Sequence, residues 1–155
     1  MTGIGLVKQW HPALVHFPIA LLTVEALFLL MYFRTQKPEY ERFSFWLLTL
    51  ASLSLVPVVL TGLSDSGLDL GPGIPIILGL QDRIKNALRF ESTISCHVAL
   101  ALPVILLTLV RWVWRWRARS QSVSGWQGRS MLVLTLLVAL LMYGAAYIGG
   151  TVSHS

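Results

Sequence analysis

Charged residues are scarce in this 155-residue chain, at 12% of the sequence, whereas hydrophobic residues make up 55%. An ordinary soluble domain needs more polar surface than this, so that class is excluded. Cysteine is almost absent, and the single Cys96 allows no internal disulfide, which excludes disulfide-rich secreted modules. The chain also has no phosphate-binding loop, which excludes soluble Rossmann enzymes. What remains is a membrane protein.

The hydrophobic residues are gathered into four runs, at about 13–33, 43–62, 93–112 and 131–150. Each run is about 20 residues long, and at about 1.5 Å per residue a helix of that length spans a hydrocarbon layer of about 30 Å. The connections between the runs leave no room for a separate water-soluble domain. The sequence therefore predicts an all-α fold, a four-helix transmembrane bundle in which residues 1–155 form a single four-span membrane domain.

Basic residues are unevenly divided between the two sides of this predicted bundle. Most lie in the first and third connections: Arg34, Lys37, Arg42, Arg111, Arg115, Arg117, Arg119 and Arg129. Fewer lie in the N-terminal tail and the second connection: Lys8, Arg83, Lys85 and Arg89. Because basic residues favour the cytoplasmic side, we expect both termini at the extracytoplasmic face of the membrane.

The third connection begins with alternating arginine and tryptophan residues, at Arg111, Arg115 and Arg117 and at Trp112, Trp114 and Trp116. This pattern has a superficial likeness to a nucleic-acid patch. At the end of a membrane span, however, it is typical of an aromatic belt with arginine anchors. The sequence thus predicts contact with the lipid bilayer and no nucleic-acid partner.

The second connection, residues 63–92, is long and opens with glycine-rich turn signals. Within residues 82–90, Ile84, Ala87 and Leu88 fall on one helical face, whereas Arg83, Lys85 and Arg89 fall on others. We interpret this segment as a short interfacial helix between spans two and three. Its basic side chains are suited to haem propionates or, alternatively, to lipid head groups.

All four histidines of the chain fall at one end of the predicted bundle. His11 and His16 lie at the start of span one, His97 lies about one turn into span three, and His154 follows span four. Ionisable side chains within a bilayer normally face the bundle interior, where they meet a partner, an ion or a cofactor. We therefore expect His16 and His97 to meet across the bundle. Interfacial hydrogen bonding is the simpler alternative, and it is the favoured role for His11 and His154.

Imidazole is a common ligand of haem iron, zinc and copper. A b-type haem needs two axial imidazoles from facing helices and an apolar slot, and the small residues of 144–150 favour either close approach of a flat ligand or simply tight helix packing. Covalent c-type attachment is disfavoured because residues 93–97 lack the first cysteine of the required motif. Our first hypothesis is haem b held by His16 and His97, with His11 and His154 as a second pair or hydrogen-bonding shell and Arg83 and Arg89 near the propionates.

Two other hypotheses stay open from the same residues. One is a copper or zinc binding or transport component that uses His11, His16, His97 and His154 as metal ligands. The other is a structural subunit of a larger membrane complex that binds no cofactor. No residue pattern indicates a substrate-converting site, so an electron carrier or redox subunit is a better expectation than an enzyme.

Glu25 lies near the middle of span one, nine residues after His16 and hence about half a turn away in phase. The two side chains are therefore expected on different faces. We expect Glu25 to pair with a hydroxyl group of span two, such as Thr49, Ser52 or Ser54, or to transfer protons. The structural role is the favoured one of the two.

The segment His11-Pro12-Ala13-Leu14-Val15-His16-Phe17-Pro18-Ile19 contains the pattern His-Pro-x-x-Val-His-Phe-Pro-Ile. With Gly62-Leu63-Ser64-Asp65, His97 and the terminal Gly149-Gly150-Thr151-Val152-Ser153-His154, it resembles the bacterial membrane family called domain of unknown function 2231 over nearly the whole chain. The resemblance assigns His11, His16, His97 and His154 to the family's motif histidines. His154-Ser155 departs from the usual His-Gly ending.

The resemblance also implies a four-span protein of the bacterial inner membrane, in a family sometimes joined to iron–sulfur or cytochrome-type modules. This association favours electron transfer. We therefore expect an integral membrane electron-transfer module that passes electrons between membrane quinols or a redox partner subunit and an extracytoplasmic acceptor. Whether it forms an oligomer is left open.

Overall fold

The computed structural model describes residues 4–65, 93–118 and 125–153, and these residues form four helices. The helices are α1 (Ile4–Thr35), α2 (Pro38–Asp65), α3 (Thr93–Arg117) and α4 (Gly125–Ser153). All four are long and apolar enough to cross a membrane, over Ala13–Thr35, Pro38–Gly62, Ala99–Arg117 and Gly125–Ile148. The predicted all-α, four-span architecture is therefore confirmed. The predicted interfacial helix at 82–90 lies outside the described residues.

The link between α1 and α2 is only two residues long, and its local chemistry fixes the reversal of the chain. Gln36 adopts a left-handed backbone conformation with φ of 55°. Its backbone N–H donates to the carbonyl of Tyr32 at 2.7 Å, so the end of α1 is capped. Pro38 then starts α2, where its missing N–H would have no helical partner in any case. α1 and α2 are therefore antiparallel neighbours.

The four helices form two hairpins that pack against each other. α1 packs along α2, and α3 packs along α4; α1 also contacts α4, and α2 contacts α3. The interior of this arrangement is apolar and receives residues from all four helices, namely Leu22, Leu48, Ala51, Val104, Val138 and Met142. Each helix thus contributes one face to a shared core.

The outward faces are apolar as well. One example on each helix is Leu27, Leu53, Leu106 and Leu140, whose side chains are between 56% and 72% exposed. Large apolar side chains on the outside of a helix bundle are unfavourable in water but match the hydrocarbon of a bilayer. The bundle therefore has the exterior of an integral membrane protein that contacts lipid.

Candidate functional site

His97 is the best-defined of the predicted site residues. Its ring is half-buried on α3, and its Nδ1 lies 2.8 Å from the backbone carbonyl oxygen of Ala145 on α4. A carbonyl oxygen can only accept, so Nδ1 is the protonated, donating nitrogen. In the neutral ring the lone pair then resides on Nε2. The contact fixes both the orientation and the tautomer of His97.

Helical spacing explains why His97 turns towards the bundle. Four buried residues follow His97 along α3. The first comes seven residues after His97, and each of the others comes three or four residues after the one before it: Val104, Thr108, Arg111 and Arg115. Such intervals return to the same side of a helix. His97 therefore lies on the interior face of α3, close to the end at which that helix begins.

The register of the core places His97 relative to α1. Leu22 and Val104 belong to the same core cluster, and further along both helices Glu25 meets Arg111, so α1 and α3 run in the same direction. Seven residues before Val104 comes His97, and seven before Leu22 comes residue 15. His97 is therefore level with the part of α1 that carries His16.

His16 is the histidine of α1 whose side chain the structure describes. It is exposed, in agreement with the expectation that it and the fully buried Glu25 occupy different faces of α1. His11 belongs to the same helix, five residues before His16. The structure thus places His97 inward and His16 outward, at matching depth.

The other predicted site residues, His154, Arg83 and Arg89, lie outside the described residues. Within the described ranges, the structure contains no group of three or more His, Cys, Asp or Glu side chains that could hold a metal ion. The predicted set of four histidine ligands is therefore represented by His97 and His16 alone.

A second polar site, which sequence reasoning missed, lies towards the other end of the bundle. Nη2 of Arg111 on α3 donates to both carboxylate oxygens of Glu25 on α1, each at 2.8 Å. The hydroxyl of Ser44 on α2 donates to Oε1 of the same carboxylate at 3.0 Å. These three residues, which we call the charged cluster, are at most 1% exposed and join three helices.

The expected pairing of Glu25 with a hydroxyl group of span two is confirmed, but the residue is Ser44 and not one of the three given as examples. Thr49, Ser52 and Ser54, the expected partners of Glu25, instead donate to carbonyl oxygens of their own helix. Ser44 is the α2 partner. Arg111 and Arg115, interpreted as interfacial anchors, are only 1% and 5% exposed. The anchor interpretation was wrong for these two arginines because each finds hydrogen-bond acceptors inside the bundle; Arg117 is exposed, as an anchor should be.

Arg115 forms a second layer between the charged cluster and the end of the helices. Its Nη2 donates to the backbone carbonyl of Glu41 at 3.2 Å and lies 3.8 Å from the carboxylate of the same residue. Its guanidinium carbon is 5.9 Å from the centre of the Phe45 ring. Hydrogen bonding and cation–π attraction together offset part of the cost of desolvating this arginine.

Several polar contacts connect the two hairpins. The indole N–H of Trp112 on α3 donates to the hydroxyl of Thr49 on α2 at 3.2 Å. On the other side of the bundle, Thr23 of α1 and Tyr143 of α4 share a hydrogen bond of 3.0 Å. Together with the charged cluster and Arg115, these contacts hold the α1–α2 hairpin against the α3–α4 hairpin.

Two signals in the sequence could have indicated the charged cluster. A single carboxylate in the middle of a span requires a partner of opposite charge or a strong donor. Arg111 also continues the spacing of His97, Val104 and Thr108, which marks it as an interior residue. Only the choice of Ser44 depends on packing detail that spacing does not supply.

The helices, their lipid-compatible exterior and the buried ion pair define this chain as a multi-pass integral membrane protein of the four-helix class. It belongs to the DUF2231 family, whose description is predicted membrane protein; the family model matches residues 8–155. The resemblance given by the histidine motif is thereby confirmed. No curated protein and no solved structure was found to match the chain.

Proposed function

We propose that this protein is an integral membrane electron-transfer module that binds b-type haem at the end of the bundle where α3 begins. The observation that supports this most directly is the hydrogen bond from His97 Nδ1 to the carbonyl of Ala145. Histidines that ligate metals usually donate their second ring N–H to a carbonyl or carboxylate, which orients the ring and raises the basicity of the ligating nitrogen. His97 has this arrangement.

The residues of the chain fit such a group in two respects. His97 supplies an oriented Nε2 on the interior side of α3. Gly144, on the adjacent helix α4, has no side chain, and a Cβ at this position would lie 3.6 Å from Leu100. The absence of a larger side chain allows α3 and α4 to approach closely beside the ring. When bound, haem supplies one-electron chemistry at its iron.

A second histidine that would hold the group is proposed to come from α1. His16 has the matching depth but lies on the exposed face of α1, and His11 belongs to the same helix. Either residue would bring an imidazole from the opposite hairpin. His154 and the basic residues Arg83 and Arg89 remain candidates for a second ligand pair and for the propionates. Quinols or a partner subunit are the proposed source of electrons.

The experiment is an optical series on purified protein produced with sufficient haem. We expect the unmodified chain to show a Soret band and a reducible α-band, and His97→Ala to lose or shift both. Added imidazole should restore the spectrum of His97→Ala if ligation, and not folding, was lost. Thr135→Val, whose hydroxyl bonds only within α4, is the control that should keep the spectrum with little loss of stability. Glu25→Gln also lies away from the histidines and should keep the spectrum in the protein that remains folded. A spectrum unchanged by His97→Ala contradicts the assignment.

Separate His11→Ala and His16→Ala variants identify the ligand on α1. One of the two is expected to alter the spectrum as strongly as His97→Ala. If neither does, a haem shared between α1 and α3 is ruled out. Elemental analysis of the same preparation tests the alternative of copper or zinc, which would give stoichiometric metal without a haem spectrum. Absence of both signals would favour the cofactor-free structural subunit.

A further inference from the structure

Arg111 has more hydrogen-bond donors than the charged cluster uses. Both bonds to Glu25 come from Nη2. Nε and Nη1, which together carry three N–H groups, are buried and have no hydrogen-bond partner in the part of the chain that the structure describes. Three unpaired N–H groups on a charged side chain are expensive in an apolar interior, where each is cut off from bulk solvent.

Thr108 presents a matching group one turn away. It lies three residues before Arg111 on the interior face of α3, its side chain is fully buried, and its hydroxyl likewise lacks a partner within the described ranges. A buried threonine in a helix ordinarily donates to the carbonyl four residues earlier. Thr135 on α4 does so, with its hydroxyl 2.8 Å from the carbonyl oxygen of Met131.

The charge at this site decides which ligand it suits. The unpaired groups of Arg111 are all donors, so the ligand must be a hydrogen-bond acceptor. Glu25 already balances the guanidinium at 2.8 Å, so an added anion would leave a net negative charge in the low-dielectric interior. A neutral acceptor is therefore favoured. Buried water fits this requirement, because it accepts from N–H groups and needs only two to four polar partners.

We propose that Arg111 and Thr108 form a buried water-binding site in the membrane interior, on the side of the guanidinium that does not bind Glu25. One or two ordered water molecules there accept from Nε and Nη1 of Arg111 and exchange a hydrogen bond with the hydroxyl of Thr108. The site is separated from His97 by about 21 Å along α3, the rise of fourteen residues. Its occupation is independent of the proposed haem.

The direct test is NMR of the full chain in micelles, with ¹⁵N-labelled arginine. Loss of one Nε–H resonance in Arg111→Lys assigns that signal. We expect the assigned proton to show a cross-peak to water with the sign of a long-lived bound molecule, and we expect Thr108→Val to abolish it. A missing cross-peak, or one that persists in Thr108→Val, overturns the shared site. Movement of the resonance on chloride titration would identify an anion site instead of water.

Thermal unfolding provides a second readout with a matched control. Thr108→Val removes a hydroxyl that is either truly unpaired or bonded to water. The resulting change in Tm has opposite signs in the two cases. If water is bound, the variant should lower Tm by about 2–4 °C, the shift expected from loss of one hydrogen-bonding group. Thr135→Val, equally buried but bonded only within its helix, should lower Tm less. A Tm of Thr108→Val equal to or above that of the unmodified protein contradicts the proposal.

Discussion

Glu25 is a full charge at the centre of an apolar bundle, and its surroundings explain how it is tolerated. Transfer of a carboxylate or a guanidinium from water to a protein interior costs several kcal/mol per ion. Arg111 and Ser44 offset this cost with three hydrogen bonds of 2.8 to 3.0 Å. Because each ion compensates the other, loss of one has a larger effect than loss of both.

We therefore predict strong non-additivity between Glu25→Gln and Arg111→Met. Each single change leaves one buried partner uncompensated and should lower the free energy of unfolding by about 3–5 kcal/mol. The double variant buries no charge here and should recover a large part of this loss. Unfolding in mixed micelles measures all three variants, with Ser44→Ala as a control that removes one hydrogen bond to the carboxylate and costs about 1.5–3 kcal/mol. Additive losses in the double variant would contradict the coupling.

The sequence predicted that Glu25 needs a partner but not which one. Thr49, Ser52 and Ser54 lie at suitable depth, yet their hydroxyls are satisfied by carbonyls of α2. Ser44 is the residue that donates to Glu25 because it lies on the face of α2 that meets α1. That position is a property of hairpin packing and not of composition. The histidines show the same limit: the matching depth of His16 and His97 follows from the sequence, but the exposed position of His16 depends on the rotation of α1.

At the scale of elements, hydropathy predicted all four helices, but it misplaced some ends. α3 was expected to end near Trp112 and continues to Arg117; α4 was expected to begin near Met131 and begins at Gly125. In both cases polar residues extend the helix beyond the apolar run. For α3 the reason is visible, since Arg115 is buried against Glu41 and Phe45 and remains part of the packed helix.

Gly144 tests whether the close contact of α3 and α4 supports the His97 site. A Cβ here would meet Leu100 at 3.6 Å, an ordinary contact, so Gly144→Ala should be tolerated or slightly stabilising. Gly144→Leu should overpack the interface, lower stability by about 1–3 kcal/mol and lengthen the neighbouring bond from His97 to Ala145. Thermal unfolding and the optical spectrum together detect both effects. If Gly144→Leu matches Gly144→Ala in both readouts, the contact has no such role.

At the scale of the whole molecule, two hairpins meet through a small number of specific polar contacts. The charged cluster, Trp112 with Thr49 and Thr23 with Tyr143 each join one hairpin to the other. In a membrane, where apolar surface gives little driving force for association, such contacts set which faces meet. The hydrogen bond of His97, by contrast, lies within the α3–α4 hairpin. A ligand shared with α1 would add a connection between the hairpins at the histidine end.

The orientation of the bundle is a prediction that rests on its basic residues. Burial of Arg111 and Arg115 reduces the excess on the side of the α1–α2 link, but exposed Arg34, Arg42 and Arg117 still favour the cytoplasm there. We predict that alkaline phosphatase fused after Ser155 is active and that green fluorescent protein at the same position is dark. Fusions at the α1–α2 link provide the control with the opposite result. A fluorescent C-terminal fusion would show that the C-terminus is cytoplasmic and would contradict the predicted orientation.

Binding of haem at the histidine end of the bundle can be tested on the purified, unmodified protein. The measurement is its reduced-minus-oxidised spectrum, taken together with its iron content. We predict a difference spectrum with an α-band typical of b-type haem and iron in a fixed ratio to protein. A featureless difference spectrum from folded protein that was produced with ample haem would contradict the claim.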